Sequence, residues 1–179
     1  SMFNQQSIIS RINRNDSVTT DELFNTMFRE AMAISQLSNG AFDITVRPLV
    51  NAWGFGTKSQ EPRAKNQDIN LDSIKAFVGY DKIILEGHHL LKSDPRTTLD
   101  ASAIAKGYAC DVVANLLRKK GCDNLLVDIG GEVVLQGIND KGKEWRVGIT
   151  RPTIDAMGAE KQLQEVIASN HLCMATSGN

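Results

Sequence analysis

Apolar positions recur at helical spacing in two long stretches of the chain and fall into shorter clusters elsewhere. Leu23, Met27, Ala31 and Ile34, flanked by Phe24, Phe28 and Met32, lie three or four residues apart, the repeat of one helix face. Thr19-Thr20-Asp21-Glu22 precedes them as an S/T-x-x-E pattern. Such a pattern can satisfy the unpaired N–H groups of a first turn and puts acidic side chains at its positive end. Ser38-Asn39-Gly40 supplies the stop, because glycine readily takes the left-handed conformation that ends a helix. An amphipathic helix of about four to five turns is expected here. The second long helix is expected from Asp100 to Lys120. Ala101, Ala105, Ala109, Val113 and Leu117 form one row, and Ile104, Tyr108, Val112 and Leu116 the next. Lys119 and Lys120 stand at its negative end, and Gly121 closes it.

Between and after these helices the pattern shortens. Residues 41–56 follow neither period and contain Pro48, Gly54 and Gly56, which suggests a short extended piece and then a turn or short helix opened by Pro48. The polar stretch 57–70, with Pro62, reads as a loop, and Leu71 to Val78 as a short helix closed by Gly79. Lys82 to Glu86 and His89 to Lys92 flank Gly87 as a hairpin. Past the second helix, strands are expected at Asn124–Ile129 and Glu132–Gln136, joined by Gly130-Gly131, then at Trp145–Ile149, Glu165–Ala168 and Leu172–Ala175. Hairpins that follow helices, without β-α-β alternation, give an α+β class: antiparallel sheets with two long packed helices.

The 179 residues are expected to form a single domain, 1–179, with a sizeable core. A net charge of -1 disfavours a general nucleic-acid binder, which carries a basic surplus. No run of about 18 apolar residues is present to span a membrane. Ser1-Met2 reads as an expression scar, and the closing Ala175-Thr176-Ser177-Gly178-Asn179 as a cut end, so the lack of a leader does not speak to compartment. Cys110, Cys122 and Cys173 have neither disulfide-framework nor zinc spacing and are expected as small residues tucked into the core. His88, His89 and His171 are expected to be surface or structural.

Three segments carry candidate chemistry. Gly40-Ala41-Phe42-Asp43 lets a ligand approach the backbone, offers an aromatic face and supplies a carboxylate acceptor, but a packed helix–strand corner explains the same residues. In Asp100-Ala101-Ser102-Ala103-Ile104-Ala105-Lys106-Gly107, an aspartate caps a helix whose first N–H groups attract anions. Asp100, Ala103 and Lys106, spaced by three, share roughly one face. An alanine-rich packing helix is the plain alternative. Gly107 inside that helix costs about 1 kcal/mol relative to alanine, which implies a packing or a ligand reason. Leu125-Leu126-Val127-Asp128-Ile129-Gly130-Gly131-Glu132 is either a site edge or a hairpin with an inward polar pair.

Taken in order, GAFDITVRPLVNAWGFG, LDASAIAKGYACDVVANLL and LLVDIGGEVVLQG resemble the ApbE family of FAD:protein FMN transferases. Ser7-Ile8-Ile9-Ser10-Arg11-Ile12-Asn13 is similar to an early SxxSRxN stretch of that family, and Ala-Thr-Ser-Gly-Asn to a later one. The resemblance covers nearly the whole chain. It implies FAD contacts at Ala41, Phe42, Asp43, Asp100 and Lys106, and a main-chain carbonyl ligand to Mg²⁺ at Ala103. It further implies transfer of FMN from FAD to a Thr or Ser hydroxyl of a flavoprotein subunit of a membrane redox complex, with AMP released, in a bacterial, extracytoplasmic, lipid-anchored enzyme. An Mg²⁺-dependent FAD pyrophosphatase and a non-catalytic flavin-binding domain are the alternatives. Against the family pattern, the N-terminal strand and a His-x-x-Asp-Pro-x-Thr-Gly stretch with further metal ligands are missing, so an incomplete domain is expected. Asp94-Pro95-Arg96-Thr97 mimics part of that stretch and reads as an ordinary loop.

Overall fold

The computed structural model describes residues 4–55, 71–151 and 163–177; the loop expected over 57–70 lies outside them. Two compact units divide the chain, Ser1–Ile104 and Ala105–Asn179.

In the first unit, helix α1 (Ile8–Asn13) is opened by Ser7, whose side chain accepts from the Ser10 N–H. Helix α2 (Glu22–Leu37) starts later than its S/T-x-x-E pattern suggests. Asp21, not Thr19, is its cap, with Oδ1 accepting from the Phe24 N–H at 2.7 Å. Thr20 is instead buried and donates its hydroxyl to Asn25 Oδ1 at 2.6 Å. The covered face also differs from the expected row. Phe24, Met27, Phe28, Ala31 and Ser35 are buried, whereas Leu23 and Ile34 are exposed. An apolar stripe wider than one row leaves two flanks, and packing selects between them. Helix α3 (Arg47–Ala52) has Pro48 in its first turn, where the missing N–H is harmless. Helix α4 (Leu71–Lys75) and a 3₁₀ turn (Tyr80–Lys82) lead into strands β1 (Ile83–Glu86) and β2 (His89–Lys92), paired antiparallel about Gly87.

Two polar anchors tie this hairpin to the rest of the unit. The Thr20 N–H donates to His88 O, and His88 Nδ1 lies 2.8 Å from Thr20 O, which gives that histidine a structural post. Lys92 Nζ donates to the carbonyls of Ile12, Pro95 and Thr97, and its burial lowers its pKa. Among the described residues, Ile9, Ile12, Phe24, Met27, Phe28, Ala31, Ile44, Ile83, Leu99 and Ala101 are the buried apolar residues of this unit.

Helix α5 (Ser102–Lys119) begins two residues later than expected. In the second unit its covered positions are Cys110 and Ala114, while Val113 and Leu116, each from an expected row, are exposed. Cys110 and Ala114 pack with Leu125, Val127 and Val134 of strands β3 (Leu125–Ile129) and β4 (Glu132–Gln136), joined by Leu117 and Ile129. Strand β5 (Trp145–Thr150) pairs antiparallel with β6 (Leu163–Ser169), and β7 (His171–Met174) completes a β3-β4-β7 sheet. Trp145 Nε1 donates to Gln136 O at 3.0 Å, which links β5 to the end of β4.

Every strand pairing among the described residues is antiparallel, as the α+β reading requires; an isolated parallel bridge joins Val46 and Thr98. No helix among them is long and apolar enough to cross a membrane. Cysteine placement departs from expectation: Cys110 is buried, Cys122 half-buried and Cys173 exposed.

Candidate functional site

The first unit builds a tight corner after α2. Gly40 has φ +80°, a conformation that favours glycine, and a Cβ there would meet Tyr80 Cε1 at 3.3 Å. Ala41 is exposed on this turn, and the Phe42 N–H donates to Ser38 Oγ at 3.0 Å. Asp43 then closes on its own loop. Its Oδ1 accepts from both the N–H and the hydroxyl of Thr45, each at 2.7 Å. Thr45 is fully buried, and its Oγ1 accepts from the Gly79 N–H at 2.8 Å. Oδ2 of Asp43 has no hydrogen-bond partner among the described residues, so one carboxylate oxygen fixes the corner and the other can accept from a ligand.

Asp100 stands beside this corner. Its N–H donates to Ile44 O at 2.6 Å, next to the Val46–Thr98 bridge. The two aspartates implied as FAD contacts are therefore on neighbouring segments rather than on opposite sides of the unit. Asp100 Oδ1 accepts from the Ser102 N–H at 2.8 Å and satisfies one of the free donors at the start of α5. The segment is fixed from behind by Asn13, whose side-chain amide donates to Leu99 O at 2.9 Å while its Oδ1 accepts from the Leu99 N–H at 2.7 Å. Sequence reasoning placed Asn13 in a family-like stretch but gave it no role. Thr45 was missed altogether, because a buried threonine in a turn looks locally like any other.

Ala103 is exposed in the first turn of α5. Its carbonyl is a hard oxygen donor of the kind Mg²⁺ takes, but Mg²⁺ demands about six oxygens and usually a carboxylate. Among the described residues, no group of three or more His, Cys, Asp or Glu side chains is arranged to hold a metal. These residues alone do not make up a magnesium centre.

The second unit carries Lys106. Its Nζ donates to Gly130 O at 3.1 Å and lies 2.6 Å from Glu132 Oε2. The lysine side chain is 47% exposed and the glutamate 14%. Oε2 is buried and has no directed hydrogen bond, so the contact is an ion pair. The turn between β3 and β4 is pinned on both sides: the Gly131 N–H donates to Asp128 Oδ1 at 3.0 Å, and the Thr176 hydroxyl donates to Gly131 O at 3.1 Å. Cys110 Sγ donates to Glu132 O, and burial raises the pKa of that thiol, so it is no candidate nucleophile. A Cβ at Gly107 would meet nothing within 4 Å, which removes the packing explanation for that glycine among the described atoms. The Gly-Gly segment forms a hairpin; its Glu132 pairs with the helix lysine, while Asp128 is exposed.

The whole chain, residues 1–179, matches the model of the ApbE family. It is 38% identical to an FAD:protein FMN transferase of Vibrio cholerae serotype O1 over 184 residues, covering 100% of this chain and 53% of that protein. It is 36% identical to the FAD:protein FMN transferase of Haemophilus influenzae, again over 100% of this chain and 53% of the other. Among solved structures, the flavin transferase ApbE from Vibrio cholerae superposes with a TM-score of 0.83 at 36% identity, covering 100% of this chain and 57% of that one. The chain thus spans about half the length of the curated relatives it matches.

Proposed function

The chain belongs to the ApbE family, and from that premise we propose that it serves the transfer of FMN from FAD to a Thr or Ser hydroxyl of an acceptor flavoprotein. The observation that best supports this reading is the 2.6 Å bond from the Asp100 N–H to Ile44 O, which brings Asp43 and Asp100 onto adjacent segments of one unit. In this proposal, Ala41 and Phe42 admit the flavin dinucleotide close to the backbone, and Asp43 Oδ2 and Asp100 accept its hydrogen bonds. Lys106 donates to a diphosphate oxygen. One ammonium N–H is donated to Gly130 O and the Glu132 carboxylate lies beside the head, so donor capacity remains for phosphate.

The reaction is a displacement at phosphorus. The acceptor hydroxyl oxygen forms a bond to the FMN-side phosphorus, the bond to the bridging oxygen breaks, and AMP departs with that electron pair. The hydroxyl proton is lost to solvent or a base. Positive charge held against the diphosphate lowers the barrier by offsetting negative charge that builds on its oxygens. Magnesium would take the Ala103 carbonyl as one oxygen ligand, with the others from the diphosphate or from outside the described residues, and would neutralise phosphate charge when bound. The acceptor class proposed is a flavin-carrying subunit of a membrane redox complex, met outside the cytoplasm by a lipid-anchored enzyme.

The test is incubation of the chain with FAD, Mg²⁺ and an acceptor domain, followed by denaturing electrophoresis and AMP quantification. In-gel flavin fluorescence on the acceptor, with AMP released in equal amount, is the expected result. FMN and AMP without acceptor labelling would point to a pyrophosphatase, and FAD fluorescence quenching without either product to flavin binding alone.

A further inference from the structure

We propose that Glu132 is the positioning residue for Lys106: its buried carboxylate, with the Gly130 carbonyl, fixes the ammonium so that its open side is presented to the diphosphate of a flavin dinucleotide. The inference rests on the phosphate-binding role proposed for Lys106 and adds a residue that touches no ligand itself.

A lysine head on a four-carbon stem is mobile unless something holds it. Here the holding group is built on two rigid elements. Glu132 is the first residue of β4, fixed in register opposite Ile129, directly after the Gly130-Gly131 turn. Lys106 and Cys110 are four residues apart on α5 and so lie on one face of the helix. Both address Glu132: Cys110 Sγ donates to its main-chain carbonyl at 3.1 Å, and Lys106 Nζ pairs with its carboxylate at 2.6 Å. The glutamate is thus gripped at its backbone by the same helix face whose lysine it steers.

Electrostatics favour the pairing. Oε2 is shut from water and receives no directed hydrogen bond, so the ammonium is the charge that compensates it. The lysine is only half covered, so its open side remains accessible. A merely structural ion pair needs no such open side.

The experiment compares FAD with riboflavin, which has the ring system but no diphosphate, by fluorescence quenching on the wild-type chain and on Glu132→Gln, Lys106→Met and the double variant. Glu132→Gln should weaken FAD binding about tenfold, by analogy with the loss when a metal ligand is deprived of its outer partner, and leave riboflavin unchanged. The double variant should bind FAD no worse than Lys106→Met, and Glu132→Asp should recover part of the loss. Unchanged FAD affinity in Glu132→Gln, equal losses for both flavins, or additive losses in the double variant would overturn the proposal. Amine acylation followed by mass spectrometry gives a readout that needs no flavin. Lys106 should label severalfold faster in Glu132→Gln while Lys119 does not change, and equal Lys106 rates would sink the positioning role. If the wild-type chain binds no FAD, the functional reading fails, and the labelling rates still decide whether Glu132 restrains Lys106.

Discussion

At the 40–46 corner, the Asp43 carboxylate bonds a residue two positions away; at the 128–132 turn, the Lys106 ammonium is held by a carbonyl 24 positions away. The corner is a local structure. Its backbone turns because Gly40 permits it and Asp43 and Thr45 lock it, with Gly79 as an outside tie. The turn is assembled from helix, strand and hairpin, and its lysine acquires a fixed place only when those elements have packed. Groups of the first kind contribute to stability through satisfied buried hydrogen bonds. Groups of the second kind contribute little to stability and much to where a charge sits.

The largest effect should come from Asp43→Ala. It removes the acceptor for two Thr45 donors and the free Oδ2 together. Unfolding in urea should show a loss of about 1–3 kcal/mol, the cost of buried donors left unpaired. FAD titration should show affinity falling as well; intact FAD affinity with lowered stability would reduce Asp43 to a purely local lock.

Next comes a direct contrast between the two regions. Thr45→Val removes the hydroxyl's bonds to Asp43 and Gly79 at a fully buried position, leaving the backbone N–H bond to Asp43, and should again cost about 1–3 kcal/mol. Glu132→Gln, beside a half-exposed lysine, should shift the urea midpoint by about 1 kcal/mol or less. Equal losses would erase the distinction between corner and turn. Smaller still, and read as a rate, is thiol labelling under native conditions. Cys173 is exposed and should react promptly, whereas Cys110, buried and bonded to Glu132 O, should react only as α5 parts from β4.

The smallest effect is a pH dependence in the 94–97 loop. Hydrogen bonding from Arg96 lowers the Asp94 pKa from 3.8 to about 2. A depressed carboxylate pKa contributes stability that is present above the unfolded value and lost as pH falls through the folded one. An acid titration of stability should therefore show this contribution fading between about pH 4 and pH 2, and Asp94→Asn should remove that part of the slope.

Much of the architecture was legible from local pattern. Both long helices, the Gly87 hairpin and the Gly130-Gly131 hairpin follow from periodicity and turn chemistry, because those signals are local. The errors share one cause. Asp21 displaced Thr19 as the cap, and Phe24 with Phe28 displaced Leu23 with Ile34 as the covered face. In α5 the buried strip runs through Cys110 and Ala114. In each case the chain offered two adjacent choices, and contacts distant in sequence decided. The candidate site divides in the same way. Asp43 and Asp100 stood out as polar residues beside glycine or a helix start. Asn13, Thr45 and Glu132 owe their places to partners that no local window contains: Leu99, Gly79 and Lys106.

The Thr176 hydroxyl donates to Gly131 O, and a methyl group added at position 131 would sit 2.8 Å from that same Oγ1. Position 131 is therefore governed by a residue far downstream, in addition to its own backbone angle of +92°. A larger residue at 131 thus asks the exposed Thr176 hydroxyl to swing away and give up its bond to the turn, on top of a backbone angle that side chains avoid.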